Sequence, residues 1–154
     1  MNGLLRITIF FLLNFGALAI GGLFTGSGVS SSWYEGLDKA PWTPPGWVFG
    51  AAWTTIMISY SFYMAILYRR IESRAPMIRL FALQWLLNVS WNPLFFYLKN
   101  PYFALINIVL LTGVVITFFI RYYRASGAAG ALIVPYGVWL LLATSLNLYI
   151  VIYN

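Results

Sequence analysis

Long apolar runs broken by short polar punctuation set the first-order pattern of this chain. The first runs from Leu4 to Phe24, with Ile7-Thr-Ile-Phe-Phe-Leu-Leu at its heart and one Arg near its start. It has the shape of a secretory leader, a basic start and a small-residue patch at Ala17-Leu-Ala19. The apolar character continues through Gly21 to Phe24, however, long enough for a retained spanning helix. Four more runs follow, giving expected helices over 4–24, 45–68, 77–98, 102–123 and 128–153. The breaks between them carry turn chemistry. Thr25 to Ser32 is Gly/Ser-rich, Arg69 to Pro76 is charged, Lys99-Asn100-Pro101 is a tight turn, and Arg124 to Gly127 ends the fourth run.

Local signals refine these elements. Thr43 is placed to cap the second helix, with Pro44 and Pro45 at positions where a missing N–H costs little. Pro93 lies inside the third helix and should kink it, freeing a carbonyl near Val89. Pro135 falls near the start of the fifth and bends only its first turns. Ala17 and Gly21 form a small-xxx-small pair that permits close helix approach. No internal repeat is visible, so an inverted-repeat transporter has no support.

Composition makes the class firm. The 154 residues are 62% hydrophobic and 8% charged, against about 25% charged for a soluble domain. A spanning helix takes roughly 20 residues, so about five helices and short loops use the whole length. The expected fold is all-α: a polytopic five-transmembrane-helix bundle forming one domain over 1–154, with a longer loop at 25–44.

The net charge of +6 reads as topology, not as a nucleic-acid surface. With five spans, Arg6, Arg69, Arg70, Arg74, Arg79, Arg121 and Arg124 share one side, and only Lys39 and Lys99 share the other. The positive-inside rule then puts the N-terminus in the cytoplasm and the C-terminus outside. The chain has no Cys and no His. That removes disulfides and imidazole or thiolate chemistry, and no metal or cofactor is expected.

Candidate chemistry is amide and aromatic. No Asp, Glu or Lys falls in the middle of an expected span, which weighs against proton-coupled transport. Asn14, Gln84, Asn88, Asn92, Asn107 and Asn147 do lie inside spans, and Gln84, Asn88 and Asn92 recur at i, i+4, i+8 on one helix face. Such amides either bond between helices or form the polar floor of a cavity. Trp42 and Trp47, beside the loop, suit interface anchors. Trp53 lies roughly 12 Å down its helix at about 1.5 Å per residue. Trp53, Trp91 and Trp139 are therefore too deep for that belt, and are either core packing or the walls of an aromatic pocket.

Three blocks of residues then carry a resemblance. They are Trp33-Tyr34-x-x-Leu37-x-Lys39-x-x-Trp42-x-Pro44-Pro45-x-Trp47-Val48 with Trp53; Gln84-x-x-x-Asn88-x-x-Trp91-x-Pro93-x-Phe95-Phe96; and Pro135-Tyr136-x-x-Trp139-x-x-x-Ala143-Thr144-x-x-Asn147. In order and spacing the chain closely resembles the translocator protein family, whose bacterial members are called tryptophan-rich sensory proteins. The resemblance implies a five-helix bundle, usually a homodimer, with a pocket beneath the first loop. It implies binding of porphyrins such as protoporphyrin IX, or of other flat hydrophobic molecules, beside membrane lipid. Carried over by motif position, the ligand-binding residues would be Tyr34, Pro44, Trp53, Gln84, Asn88, Trp139 and Ala143.

The resulting expectation is a membrane receptor or sensor for tetrapyrroles, acting in sensing, scavenging or transport. One alternative is an enzyme for light-dependent oxidative degradation of protoporphyrin IX, with Trp53 and Trp139 as its catalytic residues. Another is a passive transporter or a ligand-free helix-association scaffold. Two departures from the family pattern stand out. Asn107 occupies a position where many members carry an acid, and no basic residue follows Tyr149 to complete the sterol-recognition pattern of animal members. Leu94-Phe-Phe-Tyr97-Leu-Lys99 fits that pattern only formally, and no sterol binding is inferred.

Overall fold

A computed structural model describes residues 2–154, and they form helices with no strand among them. The long elements are α1 (Gly3–Val29), α3 (Gly46–Arg70), α4 (Ala75–Asn92), α5 (Pro101–Ser126) and α6 (Val134–Tyr153), with a single-turn α2 (Ser32–Glu35) in the first loop. A π-helical segment, Pro93–Tyr97, continues α4, and a 3-10 segment, Gly127–Ile133, joins α5 to α6. α1 packs on α3 and α4, α4 on α5, α5 on α6, and α3 touches both α5 and α6. The five long helices therefore close on one another as a bundle.

α1, α3 and the α5–α6 hairpin are each long and apolar enough to cross a membrane. α4 is shorter and more polar, and spans a comparable depth only together with its π-helical extension, roughly 34 Å at about 1.5 Å per residue. Leu12, Leu23, Leu86, Ile120 and Leu141 all point outward. That is the arrangement a lipid solvent stabilises, because hydrocarbon outside the bundle is as apolar as the core within.

The boundaries show where local rules were overridden. Residues 25–29 were expected to break the first helix, yet α1 runs on to Val29. The hydroxyl of Thr25 donates to Asn92 Oδ1 of α4 at 2.7 Å, with the Gly21 carbonyl also in range at 3.0 Å. Gly28 is buried beneath Phe96, so docking on α4 supplies what helix propensity withholds. Thr43 does not cap α3. Its hydroxyl donates back to the Ala40 carbonyl at 2.7 Å, and the N-cap position falls on Pro45 with no side-chain cap bond. The prolines at 44 and 45 supply no N–H and α3 starts only at Gly46, two residues beyond the start a Thr43 cap requires, while the hydroxyl bonds the preceding loop.

Pro93 acts more sharply than a kink. The α-helical pattern stops at Asn92 and the chain widens into the π segment, closed by a Leu98 N–H bond to the Pro93 carbonyl at 2.9 Å. The last helix was expected from Ala128, but residues 127–133 wind as the tighter 3-10 form. α6 starts at Val134, so Pro135 sits in a first turn where its ring and missing N–H are tolerated.

Every intramembrane amide ties two helices together. Asn14 Nδ2 donates to Ser61 Oγ (2.9 Å, α1 to α3), and Asn107 Nδ2 to Ser90 Oγ (3.1 Å, α5 to α4). Asn147 takes the Trp91 indole N–H on its oxygen (3.1 Å) and donates to the Pro101 carbonyl (2.9 Å), joining α4, α5 and α6. The common face expected of Gln84, Asn88 and Asn92 divides between two partners. The first two turn to α6, and Asn92 turns to α1.

The closest approach of α1 to α4 rests on glycine. A Cβ at Gly21 would lie 2.5 Å from Asn92 Nδ2, and one at Gly28 would lie 2.3–2.6 Å from Phe96 side-chain carbons, whereas Gly22 faces open space. Gly28→Ala is therefore expected to lower stability by about 1–3 kcal/mol, the cost of overpacking a filled contact, and Gly22→Ala by far less. Thermal unfolding of the two variants in detergent checks the contrast; equal melting temperatures would contradict it.

Candidate ligand site between α3, α4 and α6

Two aromatic pairs face each other across the α3–α6 contact. Phe49 and Trp53 lie four residues apart on α3, and Tyr136 and Trp139 three apart on α6, so each pair shares one helix face. Trp53 meets the Tyr136 ring edge-on at 5.9 Å between centroids, and Phe49 meets Trp139 edge-on at 5.3 Å. These are the T-shaped geometries in which ring edges point at ring faces. Tyr60 closes the cluster from below at 5.3 Å from Tyr136.

α4 contributes the polar wall. Gln84 Nε2 and Asn88 Nδ2, one turn apart, both donate to the Tyr136 hydroxyl oxygen at 2.7 Å. All three side chains are buried. Two N–H donors thus converge on one phenol oxygen, in a region where water cannot replace either of them. The space that sequence reasoning assigned to a ligand's polar edge is filled here by Tyr136. Four buried polar atoms on α3, α4 and α6 lack a hydrogen-bond partner among the described residues: Tyr60 Oη, Gln84 Oε1, Trp139 Nε1 and Thr144 Oγ1.

Of the seven residues named from the sequence, the structure gathers five. Trp53, Gln84 and Asn88 meet on Tyr136, and Trp139 and Ala143 belong to the same core. Ala143 is half-buried one turn beyond Trp139. Pro44 is half-buried in the approach to α3. Tyr34 lies elsewhere. It packs on Phe95 and Phe96 of the π segment, at 6.3 and 5.6 Å, in a second aromatic cluster with Trp33 and Trp91. Half-burial there pushes its phenol above the ordinary value, because desolvation disfavours the phenolate.

The loop is strapped to the end of α6. The Asp38 N–H donates to Asn154 Oδ1 (2.9 Å), Asn154 Nδ2 returns a bond to the Asp38 carbonyl (3.2 Å), and Trp42 Nε1 donates to Ser145 Oγ (3.1 Å). Lys39 lies over the Tyr34 ring at 4.6 Å and donates to the Leu37 carbonyl at 3.3 Å, so its charge is held by the loop itself. Trp47 is 74% exposed, as an interface anchor would be. The residue that sequence reasoning missed is Tyr136. Its position three residues before Trp139, on the helix face opposite Trp53, was the available signal.

With this geometry in place, comparison with known proteins decides the family. Residues 9–153 match the model of the TspO/MBR family. The chain is a member of that family. It is 31% identical to the translocator protein of Homo sapiens over 134 residues, covering 82% of this chain and 79% of the relative. It is 36% identical to the tryptophan-rich protein TspO of Archaeoglobus fulgidus over 137 residues, 87% of each. It is 33% identical to the tryptophan-rich sensory protein of Cereibacter sphaeroides over 115 residues, covering 75% of this chain and 72% of that one. Family membership and the outward-facing apolar helices together make this an integral, multi-pass membrane protein.

Tyr136→Phe tests the polar wall. It leaves the Gln84 and Asn88 N–H groups buried without an acceptor, which costs about 1–3 kcal/mol for each group orphaned. A fall in melting temperature is expected, partly restored when Gln84→Met and Asn88→Leu are added to Tyr136→Phe. A Tyr136→Phe variant as stable as the parent would show that the phenol is not the shared acceptor.

Proposed function

We propose that this TspO/MBR family member is a receptor or sensor that binds a porphyrin, or a similar flat aromatic molecule, between α3, α4 and α6. The observation that carries the reading is the two aromatic pairs that face each other, Phe49 and Trp53 on α3 against Tyr136 and Trp139 on α6, beside buried polar atoms with unused bonding capacity. A flat macrocycle inserted between the helices would replace ring-to-ring contacts with stacking of the same kind. Its polar edge would meet Gln84, Asn88 and the Trp139 N–H. Insertion requires the Tyr136 ring to swing aside and the loop over 30–45 to yield, so binding is coupled to a conformational step, as sensing demands. Homodimer formation and a role in tetrapyrrole scavenging or transport belong to the same proposal.

Titration of the purified protein with protoporphyrin IX should quench its tryptophan fluorescence. Trp53→Phe combined with Trp139→Phe should weaken the affinity read from the porphyrin's own emission by about tenfold or more, given about 0.5–1.5 kcal/mol per aromatic contact beyond area burial. Unchanged affinity in that variant would sink the site. Illumination of the complex separates binding from chemistry. Porphyrin loss that is faster than beside an unrelated membrane protein, and that depends on Trp139, would favour the degradative reading.

The seven arginines at one end of the bundle support a cytoplasmic N-terminus and an outward-facing first loop. The chain has no Cys, so single-cysteine labelling reads this directly. In intact cells a membrane-impermeant maleimide should label Lys39→Cys, and should label Glu72→Cys only after permeabilisation. The reverse pattern would invert the assignment.

A further inference from the structure

At the arginine-rich end, far from the aromatic site, a groove of about 440 Å³ opens between the start of α1 and the end of α3. Its rim carries Arg6, Arg69 and Arg70, and its walls are Ile7, Ala65 and Ile66. We propose that this groove binds an anionic phospholipid, with the phosphodiester held between Arg6 and Arg69 and an acyl chain laid along Ile7 and Ile66.

The three guanidiniums are not equivalent. Arg70 Nη1 donates to the Ser126 carbonyl at the end of α5, where a cation complements unpaired carbonyls, so Arg70 chiefly fixes the α3–α5 corner. Arg74 is likewise engaged, with its guanidinium 4.7 Å from the Tyr68 ring and its Nε donating to the Tyr68 carbonyl at 3.2 Å. Arg69 is exposed at the mouth of the groove. Arg6 folds along the first turn of α1, with Nη2 3.7 Å from where a Gly3 Cβ would stand.

Charge complementarity selects the occupant. Seven arginines and a single acid, Glu72, lie at this end. Arginine presents a planar fork that matches two phosphate oxygens, and it keeps its charge at any pH a membrane meets. Water-filled, the groove would leave the partly exposed apolar side chains of Ile7 and Ile66 facing solvent at the depth where lipid begins. A phospholipid satisfies both halves at once. Basic pockets between spanning helices recruit anionic headgroups in this way, each Lys or Arg near the surface adding a comparable increment. A zwitterionic headgroup would bring its own cation against the arginines and gain little.

The test uses the full chain in neutral detergent, titrated with short-chain phosphatidylglycerol, short-chain phosphatidylcholine or inorganic phosphate, while thermal stability is followed. Phosphatidylglycerol should raise the melting temperature at concentrations where the other two do not. Arg6→Gln with Arg69→Gln should weaken that response by about tenfold or more, from two lost surface cations. Arg121→Gln with Arg124→Gln removes the same charge outside the groove and should leave the response intact. Arg6→Lys with Arg69→Lys keeps charge but loses the fork, and should fall between the parent and the Gln pair, which separates binding from misfolding. Equal losses in the two Gln pairs would mean diffuse attraction and overturn the site. An equal response to phosphate would reassign the groove to a free anion. An equal response to phosphatidylcholine would overturn charge selection.

Discussion

The constraint on which this bundle depends is that hydrocarbon offers no hydrogen bonds. An amide inside the membrane must find its partner in the protein, and here each one finds it on a different helix. Apolar contact alone would not fix the helices relative to one another, since lipid competes with it on equal terms. The amides supply register. Asn14 sets α1 against α3, Asn92 sets α4 against α1, and Asn147 locks α4, α5 and α6 at one point. Gln84 and Asn88 do the same through Tyr136, and so the polar wall of the candidate site is also part of the scaffold.

That double use explains why the site is closed. A cavity lined by donors with nothing to meet them would be costly in lipid, and Tyr136 removes the cost by offering its oxygen to two donors. The same ring is the obstacle to a flat ligand. A ligand able to replace the phenol as acceptor makes displacement affordable, whereas one lacking a polar edge leaves two orphaned amides. On the proposed reading, selectivity for amphipathic planar molecules over plain hydrocarbons would follow from that asymmetry. The straps at Asp38, Trp42 and Asn154 add a second threshold, because the loop is bonded to α6 and not merely draped over it.

Much of this was legible in the residues. Apolar runs located five helices, the charge distribution foretold one basic end, and the motif blocks placed Trp53, Gln84, Asn88 and Trp139 near one another. What misled was local chemistry taken alone. Thr25, Ser27 and Ser30 look like helix breakers, but their hydroxyls reach back toward carbonyls of their own helix while Gly28 docks under Phe96. Thr43 has the right identity for a cap, yet two prolines follow it. Tyr34 shares a motif with the site residues but packs on a different aromatic cluster. Tyr136 stands in a motif block, but no sequence signal says which of several aromatics will receive two amides. Thr43 apart, these placements turn on partners brought from 48 or more residues away along the chain.

The length of α1 has a consequence for the membrane itself. Its 27 residues extend roughly 40 Å at about 1.5 Å per residue, against a hydrocarbon layer of about 30 Å. The excess is the Gly- and Ser-rich final turns, which are pinned to α4 and carry the first loop. Where the bilayer is thin, those turns and the strapped loop stand clear in water. Where it is thick, they sink among the headgroups, and Trp47 moves with them. The surroundings of the loop would thereby vary with bilayer thickness, a property of the lipid and not of the aromatic cluster.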